Sequence, residues 1–194
     1  MKRFVRRAKK IITVLQRIMI QKSIFLVGTR KYMNRYVPYL RKHGMDIPEM
    51  PNYISNDVHF DGKDYSIIHL GKNCTISTGV HFLTHDYSMH TVFAEGNSGM
   101  NLENPEFLKE WDKKDQMLIL KGIHIGDNAF VGAKALLLPG TYIGDNSIVG
   151  AGAVVKGSYP AESIIVGNPA KVIGKTSDLL NKKAKKALEE IEND

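Results

Sequence analysis

The residues best suited to acid–base chemistry in this chain are its seven histidines, because an imidazole with an ordinary pKa of about 6.5 can exchange a proton near neutral pH. Among them, His85 lies between Thr84 and Asp86 at the edge of a long stretch without a regular pattern. Any one of the seven histidines is more often a surface residue that takes no part in chemistry. The neighbouring loop nevertheless favours function at His85, since loops on regular scaffolds carry much of a protein's chemistry.

The single cysteine, Cys74, limits the ways in which the fold can be held together. One thiol excludes an internal disulfide framework, so the fold depends on packing or on association with other copies, in keeping with a reducing compartment. Cys74 also occupies a small-residue position of the repeat described next. We therefore expect a core thiol rather than a nucleophile.

The elements that must position His85 come from a hexapeptide repeat. From Ile119 to Val155 an aliphatic residue recurs at every sixth position, often followed by glycine, with a small residue four positions later. A helix repeats near 3.6 residues and a half-buried strand near 2, so a period of six predicts neither. The aliphatic column consists of Ile119, Ile125, Val131, Leu137, Ile143, Val149 and Val155.

A second block with the same period lies upstream. Its aliphatic positions are Leu70, Ile76 and Phe82, and it is out of phase with the downstream block by one residue. The two blocks are separated by a predicted loop insertion at residues 88–121, for which we expect a function. The alternative is a tolerated insertion with a short helix from Pro105 to Trp111.

The physical interpretation of the repeat is a chain that turns after each short strand, with three strands in each triangular coil. The aliphatic residue points inward, and small residues are needed near the corners, where successive backbones approach each other. The pairs Asp127-Asn128 and Asp145-Asn146 suit tight turns. Successive coils would stack about 4.8 Å apart as parallel sheets. The spacing alone does not set the hand of the coil, because ordinary parallel crossovers are right-handed.

Helices are predicted at both ends of the chain. The first 45 residues show an apolar stripe with helical spacing and a predicted stop at Gly44, and residues 177–192 form another predicted helix. The stripe consists of Phe4, Ala8, Ile11, Leu15 and Ile18. The predicted organisation is a basic helical N-terminal segment (1–46), a β-helix catalytic domain (47–176) that contains the loop insertion (88–121), and a C-terminal helix (177–194).

Charge is segregated along the chain. Residues 1–45 carry thirteen Lys or Arg and no Asp or Glu, whereas the rest carries fourteen basic and twenty acidic side chains. The acidic body and the lack of a nucleic-acid-binding motif argue against a nucleic-acid partner. Residues 1–45 would touch an anionic membrane, or else cap the solenoid or pack in an oligomer. Arg17 and Lys22 interrupt the most apolar stretch, so we expect a cytoplasmic protein, peripheral to the inner face of the membrane if this segment binds lipid.

With these motifs in place, residues 52–175 resemble the hexapeptide-repeat acyltransferases, which include the maltose, galactoside and xenobiotic acetyltransferases. The motifs that carry the resemblance are Leu70-Gly71-Lys72-Asn73-Cys74-Thr75-Ile76-Ser77, Phe82-Leu83-Thr84-His85-Asp86, Ile125-Gly126-Asp127-Asn128-Ala129-Phe130-Val131-Gly132, Pro139-Gly140-Thr141-Tyr142-Ile143-Gly144-Asp145-Asn146 and Val166-Gly167-Asn168-Pro169-Ala170-Lys171. The resemblance implies an all-β solenoid, a left-handed parallel β-helix, that assembles as a homotrimer. It also implies acetyl-CoA as cosubstrate and direct acetyl transfer.

In this family the histidine after the upstream block is the general base, and His85 stands at that place. An acceptor hydroxyl is a poor nucleophile, so a base that removes its proton during attack on the thioester is needed. Further similarity to capsule and lipopolysaccharide O-acetyltransferases implies a saccharide acceptor. Asp86 or Asp61 would orient the ring, although each also fits a simple turn carboxylate. His81 and His90 are interpreted as bystanders, and no metal is expected.

The resemblance also implies a binding site for coenzyme A along the downstream coils, between neighbouring subunits. Phe130 stands where many relatives have tryptophan. Ala133 and Ala151 would let the pantetheine arm approach the backbone, and Lys156 and Lys171 would face phosphates. The competing interpretation is that the repeat requires the small residues and that water solvates the lysines.

Other functions remain open at this point. Within acyl transfer, the acceptor could be an amine of a nucleotide-sugar or of a small antibiotic. A zinc enzyme related to β-helix carbonic anhydrases would use His85 and His90, but it needs a third histidine, and His59, His69 and His81 lie in no recognisable zinc motif. A non-catalytic scaffold would keep the repeat without needing a Thr-His pair beside a long loop.

Overall fold

The fold is taken from a computed structural model of the 194-residue chain. The structure describes residues 2–62, 64–88 and 118–192, with side chains over 11–62, 64–88 and 118–186. The expected helix from Pro105 to Trp111, most of the loop insertion and His90 therefore lie outside the described residues.

Three helices precede the strands: α1 (Lys2–Lys22), α2 (Ile24–Val27) and α3 (Thr29–Lys42). The predicted stop at Gly44 is confirmed. Gly44 has a φ of 98°, and its backbone N–H donates to the carbonyl of Arg41. A left-handed residue just after the last turn is a common helix ending, because it redirects the chain while satisfying terminal carbonyls.

The described chain then forms short strands and a final helix. The strands are β1 (Tyr53–Ile54), β2 (His59–Phe60), β3 (Ile68–Leu70), β4 (Thr75–Ile76), β5 (His81–Phe82), β6 (His85–Asp86), β7 (Ile119–Leu120), β8 (Ile123–Ile125), β9 (Phe130–Val131), β10 (Leu136–Leu137), β11 (Tyr142–Ile143), β12 (Ile148–Val149), β13 (Val154–Val155), β14 (Ser158–Tyr159), β15 (Ser163–Gly167) and β16 (Ala170–Lys175). The last element is α4 (Thr176–Glu192), which confirms the predicted C-terminal helix.

Three sheets organise these strands, and the chain enters them in turn. The first sheet has the order β1-β4-β9-β12-β15-β16, the second β2-β5-β10-β13 and the third β3-β8-β11-β14. All pairings within them are parallel except β15 with the hairpin strand β16. Phe130 pairs with Ile148, and Leu136 pairs with Val154, 18 residues on in each case. One coil of three strands thus uses three hexapeptides, as the repeat predicted.

The loop insertion explains why the two repeat blocks differ in phase. Leu70 pairs with Ile125, which lies 55 residues further along the chain. A regular coil takes 18 of these residues, and the insertion supplies the other 37. Because 37 residues are six hexapeptides and one extra residue, the downstream block is shifted by one. The base of the insertion is an antiparallel pair in which His85 faces Leu120 and Asp86 faces Ile119. The inclusion of Ile119 in the repeat was therefore wrong, because it belongs to this ladder and is only partly buried.

The interior follows the predicted columns. The aliphatic positions from Ile125 to Val155 are fully buried, and so is Cys74 in the small-residue column. Burial raises the pKa of the Cys74 thiol to about 12, which makes it a packing residue rather than a nucleophile. Glycine is required where coils approach closely, since a Cβ on Gly132 would lie 2.6 Å from the backbone nitrogen of Ala151.

The predicted Asp-Asn turns are confirmed. Asn128 and Asn146 have φ values of 54° and 56°, in the left-handed region that asparagine tolerates. Their side chains also stack from coil to coil, because Asn128 Nδ2 donates to Asn146 Oδ1 at 3.1 Å. The backbone N–H of Asp127 donates to the Asp145 carboxylate at 2.8 Å.

Helices α1 and α2 pack on α3 through a side other than the predicted apolar stripe. Three members of that stripe, Ile11, Leu15 and Ile18, are 61%, 52% and 43% exposed. The described part of the stripe therefore does not pack on the body of its own chain. Hydrogen bonds from the Arg17 guanidinium and the Gln21 amide to tyrosine hydroxyls turn the more polar side of the helix inward. Within the described residues, no helix is long and apolar enough to cross a membrane.

Candidate active site

The site around His85 is built at the corner between the second and third sheets. Asp61 follows β2 directly, and Thr84 and His85 follow β5 in the next coil. The two coils are joined there because the Asp61 N–H donates to the carbonyl of Phe82 at 3.1 Å. The loop insertion leaves from the same corner, where the Lys121 N–H donates to the carbonyl of Thr84 at 2.9 Å.

Asp61 is a buried carboxylate with one fixed oxygen. Its side chain is 6% exposed, and Oδ1 accepts hydrogen bonds from the Thr84 N–H at 2.9 Å and the Thr84 hydroxyl at 2.6 Å. A buried carboxylate without such donors would lose much of its solvation free energy. Thr84 therefore both compensates that loss and fixes the plane of the carboxylate.

His85 lies against the second oxygen of this carboxylate. Its Nδ1 is 2.7 Å from Asp61 Oδ2, and its side chain is 41% exposed. The distance is that of a hydrogen bond, yet Oδ2 has no hydrogen bond of acceptable angle among the described residues, so the contact is close but imperfectly aligned. Catalytic hydrogen bonds often align only when substrate binds. A carboxylate at Nδ1 favours the proton on that nitrogen and leaves the lone pair of Nε2 available.

Asp86 has a different environment from Asp61. Its Oδ1 accepts a hydrogen bond from the Ser88 N–H at 2.7 Å, and the bonds with Ser88 lower the pKa of the carboxyl. The positive charge of Lys156 contributes to the same lowering as a smaller cause. The Asp86 carboxylate is thus bonded to Ser88 two residues on, and Asp61 is the carboxylate that contacts His85.

The residues expected to bind coenzyme A lie in three places. Phe130 is 42% exposed on the first sheet, which is the sheet that does not border the His85 corner. Ala133 and Ala151 stack at the corner between the first and second sheets, where the Gly152 N–H donates to the carbonyl of Ala133.

Two lysines complete the expected set. Lys156 is exposed directly after β13, at the same corner as His85 and two coils further along. Lys171 is exposed on β16, at the edge of the first sheet. Within one chain the structure therefore brings Asp61, Lys156 and His85 to one corner and leaves Phe130 and Lys171 elsewhere.

Two features were missed by sequence reasoning. One is the role of Thr84 as the residue that fixes Asp61, for which the only signal was its place beside His85. The other is an aromatic column on the third sheet, in which His69 stacks on His124 at 4.2 Å and His124 stacks on Tyr142 at 4.4 Å. This column borders a shallow groove of about 350 Å³. Burial and then the neighbouring His69 lower the pKa of His124.

The zinc interpretation gains no support from the described residues. Among them, no three His, Cys, Asp or Glu side chains are grouped to hold a metal ion. His59 and His81 face each other as a pair on the second sheet, with ring centres 5.2 Å apart. Among the described residues, neither His59 nor His81 forms a contact with His85.

Comparisons with known proteins agree with this architecture. Residues 122–157 match the family described as bacterial transferase hexapeptide (six repeats). A sequence search of curated proteins gives no match. The resemblance recognised in the sequence motifs is confirmed by this segment and by the fold of two solved acetyltransferases.

The first of these structures is a hexapeptide-repeat-containing acetyltransferase from Vibrio cholerae, with 16% sequence identity, a TM-score of 0.52, and coverage of 87% of this chain and 91% of that one. The second is a galactoside acetyltransferase in complex with coenzyme A, with 18% identity, a TM-score of 0.51, and coverage of 84% and 80%. At such identities the likeness concerns the fold, and function must be argued from the site.

Proposed function

We propose that this chain is an acetyl-CoA-dependent O-acetyltransferase that moves an acetyl group to a hydroxyl of a sugar or saccharide, with His85 as the general base. The observation that carries the proposal is the contact between His85 and the buried Asp61, at the corner from which the loop insertion leaves. The hexapeptide segment and the shared fold with acetyltransferases support the reaction class. The galactoside acetyltransferase among them supports the saccharide acceptor.

In the proposed reaction, Asp61 holds the ring proton at Nδ1, and Nε2 of His85 accepts the proton of the acceptor hydroxyl. The hydroxyl oxygen then bonds to the thioester carbonyl carbon, and the bond from that carbon to sulfur breaks when the tetrahedral intermediate collapses. His85 returns the proton to the departing sulfur, which leaves an ester and a free thiol. A positioned base of this kind contributes about 10²–10⁴-fold to the rate.

We further propose a homotrimer of left-handed coils in which each site lies between two subunits. The support is the separation of the expected residues within one chain, since Phe130 lies on the sheet that does not border the His85 corner. A neighbouring subunit would present its own Phe130, Ala133 and Ala151 along the acetyl-CoA molecule, with Lys156 and Lys171 near its phosphates. Sedimentation that finds a fully active monomer would contradict this arrangement.

The proposal is tested by measuring thiol release from acetyl-CoA in the presence of saccharides and, separately, of amino sugars. We expect release to depend on a saccharide hydroxyl and the product to lose acetate in mild alkali, because esters hydrolyse there and amides do not. An alkali-stable product formed only with amines would make the chain an N-acetyltransferase instead.

A further inference from the structure

The outer side of α1 and α2 is a large apolar surface that the proposed chemistry does not use. We define the apolar helix face as Ile11, Ile12, Val14, Leu15, Ile18, Met19, Phe25 and Leu26, which are 43% to 88% exposed. We propose that the apolar helix face docks on an anionic lipid surface and holds the protein at a membrane without crossing it. This inference is independent of the proposed acetyl transfer.

The orientation of the helices leaves this face uncovered. The inner stripe recurs with helical spacing and consists of Thr13, Arg17, Ile20, Ile24 and Val27. The last three pack against the buried core, and Arg17 NH1 donates to the Tyr65 hydroxyl at 3.2 Å. Since α3 and the body engage one side of the helices, the opposite side points away from the molecule.

The size of the face is the first argument for a partner. Single exposed apolar residues are ordinary, whereas eight on one side of a 16-residue stretch form a contiguous surface of the kind that marks a docking site. Leu26 is 88% exposed and Phe25 78% exposed. Large apolar side chains at the tip of a helical pair are suited to insertion among lipid chains.

Charge identifies the partner as anionic lipid. The first 45 residues contain thirteen basic and no acidic side chains. In the described part, Lys22, Arg30 and Lys31 are exposed on or beside the same helices, and the ion pairs found there involve none of them. Apolar residues bordered by cations match an interface of acyl chains and anionic headgroups, where each Lys or Arg near the surface adds to the attraction.

The same charge argues against a second copy on this face. Two copies joined through the same surface would bring two sets of basic side chains together. The body of the protein, beyond residue 45, carries six more acidic than basic side chains, so an anionic membrane repels it. The helical segment would therefore face the lipid while the body stays in solution.

The test is co-sedimentation of the full chain with phosphatidylcholine vesicles that contain or lack phosphatidylglycerol. We expect binding only to the anionic vesicles and loss of binding at high salt. Leu15→Glu/Leu26→Glu should lower partitioning at least about tenfold with an unchanged thermal melt, since both side chains are exposed. The matched control is Ile173→Glu/Leu180→Glu, which alters two exposed apolar residues of β16 and α4 and should bind as the unmodified chain does.

A second pair of variants isolates charge. Arg30→Glu/Lys31→Glu should reduce partitioning by at least roughly 30-fold, since two cations are lost and two anions are added, whereas Lys182→Glu/Lys183→Glu, with the same change in net charge, should have little effect. The proposal is overturned if the unmodified chain does not bind anionic vesicles, or if both charge variants lose binding equally. It is also overturned if the Leu15/Leu26 variant dissociates an oligomer in sedimentation velocity while its vesicle binding is unchanged, because a second copy would then cover the face.

Discussion

Two histidine–aspartate pairs among the described residues have the same separation and different surroundings. Nδ1 of His85 is 2.7 Å from Asp61 Oδ2, and Nδ1 of His69 is 2.7 Å from Asp46 Oδ2. The His69 pair even has the better hydrogen-bond angle. Separation and alignment therefore do not distinguish a proposed base from a surface contact.

What differs is the environment of each partner. The Asp61 side chain is 6% exposed and its other oxygen is fixed by Thr84, whereas the Asp46 side chain is 61% exposed. The His69 ring is stacked face to face on His124, while the ring of His85 remains open at the corner. A base needs a fixed, desolvated carboxylate on one nitrogen and access for substrate at the other, and only the His85 pair offers both.

The largest expected effect comes from removing the two imidazoles separately. His85→Ala should lower kcat for acetyl transfer by about 10²–10⁴, because the proposed general base is lost, while the affinity for acetyl-CoA stays similar. His69→Ala should change kcat by less than about twofold. Thiol release at saturating substrates measures both, and equal losses in the two variants would erase the distinction between the pairs.

Replacing the two aspartates should also lower kcat more at the His85 pair than at the His69 pair, but the loss should be smaller than for the histidines. Asp61→Asn should lower kcat by about 10², since an amide can donate to Nδ1 and so favour the wrong tautomer of His85. Asp46→Asn is the matched variant and should leave kcat nearly unchanged. If Asp61→Asn raises the KM for acceptor without lowering kcat, Asp61 acts on binding and the comparison fails.

A smaller effect is expected at the residue that holds Asp61. Thr84→Val removes the hydroxyl donor and keeps the shape, so kcat should fall about tenfold and stability by about 1 kcal/mol. Thr78→Val is the control, because the Thr78 hydroxyl also donates to an aspartate, Asp57, away from His85. Kinetics and thermal melts on both variants would show whether the loss of kcat is specific to Thr84.

The aromatic column should affect stability rather than activity. Because burial and His69 lower the pKa of His124, the unfolded chain binds that proton more readily. The contribution to stability is present above a pH of about 6.5 and is lost as the pH falls. The fall in Tm between a pH of about 7.5 and about 5.5 should be smaller in His124→Gln than in His81→Gln, an exposed-histidine control. An identical fall in Tm in both variants would exclude His124 as the source of the pH dependence.

Much of the fold could be predicted from the sequence, because the six-residue spacing determines where the short strands and the turns between them occur. The aliphatic column from Ile125 onward, the small-residue column and the asparagine turns recur locally and were found where predicted, whereas Ile119 belongs to the ladder at the base of the insertion. The contact between Asp61 and His85 could not be chosen over Asp86 in advance. The first coil is 22 residues long, as the pairing of His59 with His81 shows, and no hexapeptide column upstream of Leu70 sets its register.

The N-terminal helices show a second limit of sequence reasoning. Periodicity correctly indicated an amphipathic helix, but the side that packs inward depends on distant hydroxyl groups. Arg17 bonds to Tyr65, 48 residues away, and Gln21 bonds to Tyr36. Without those tertiary contacts, an apolar stripe is the natural choice for the packed side.

The central claim is that Asp61 acts on catalysis through His85, and a double-mutant cycle tests it most directly. kcat would be measured for Asp61→Asn, His85→Ala and the variant carrying both. We predict that Asp61→Asn, which costs about 10² alone, has almost no further effect once His85 is alanine, because residues that act as a unit are strongly non-additive. Additive losses would contradict the claim and show that the two side chains act independently.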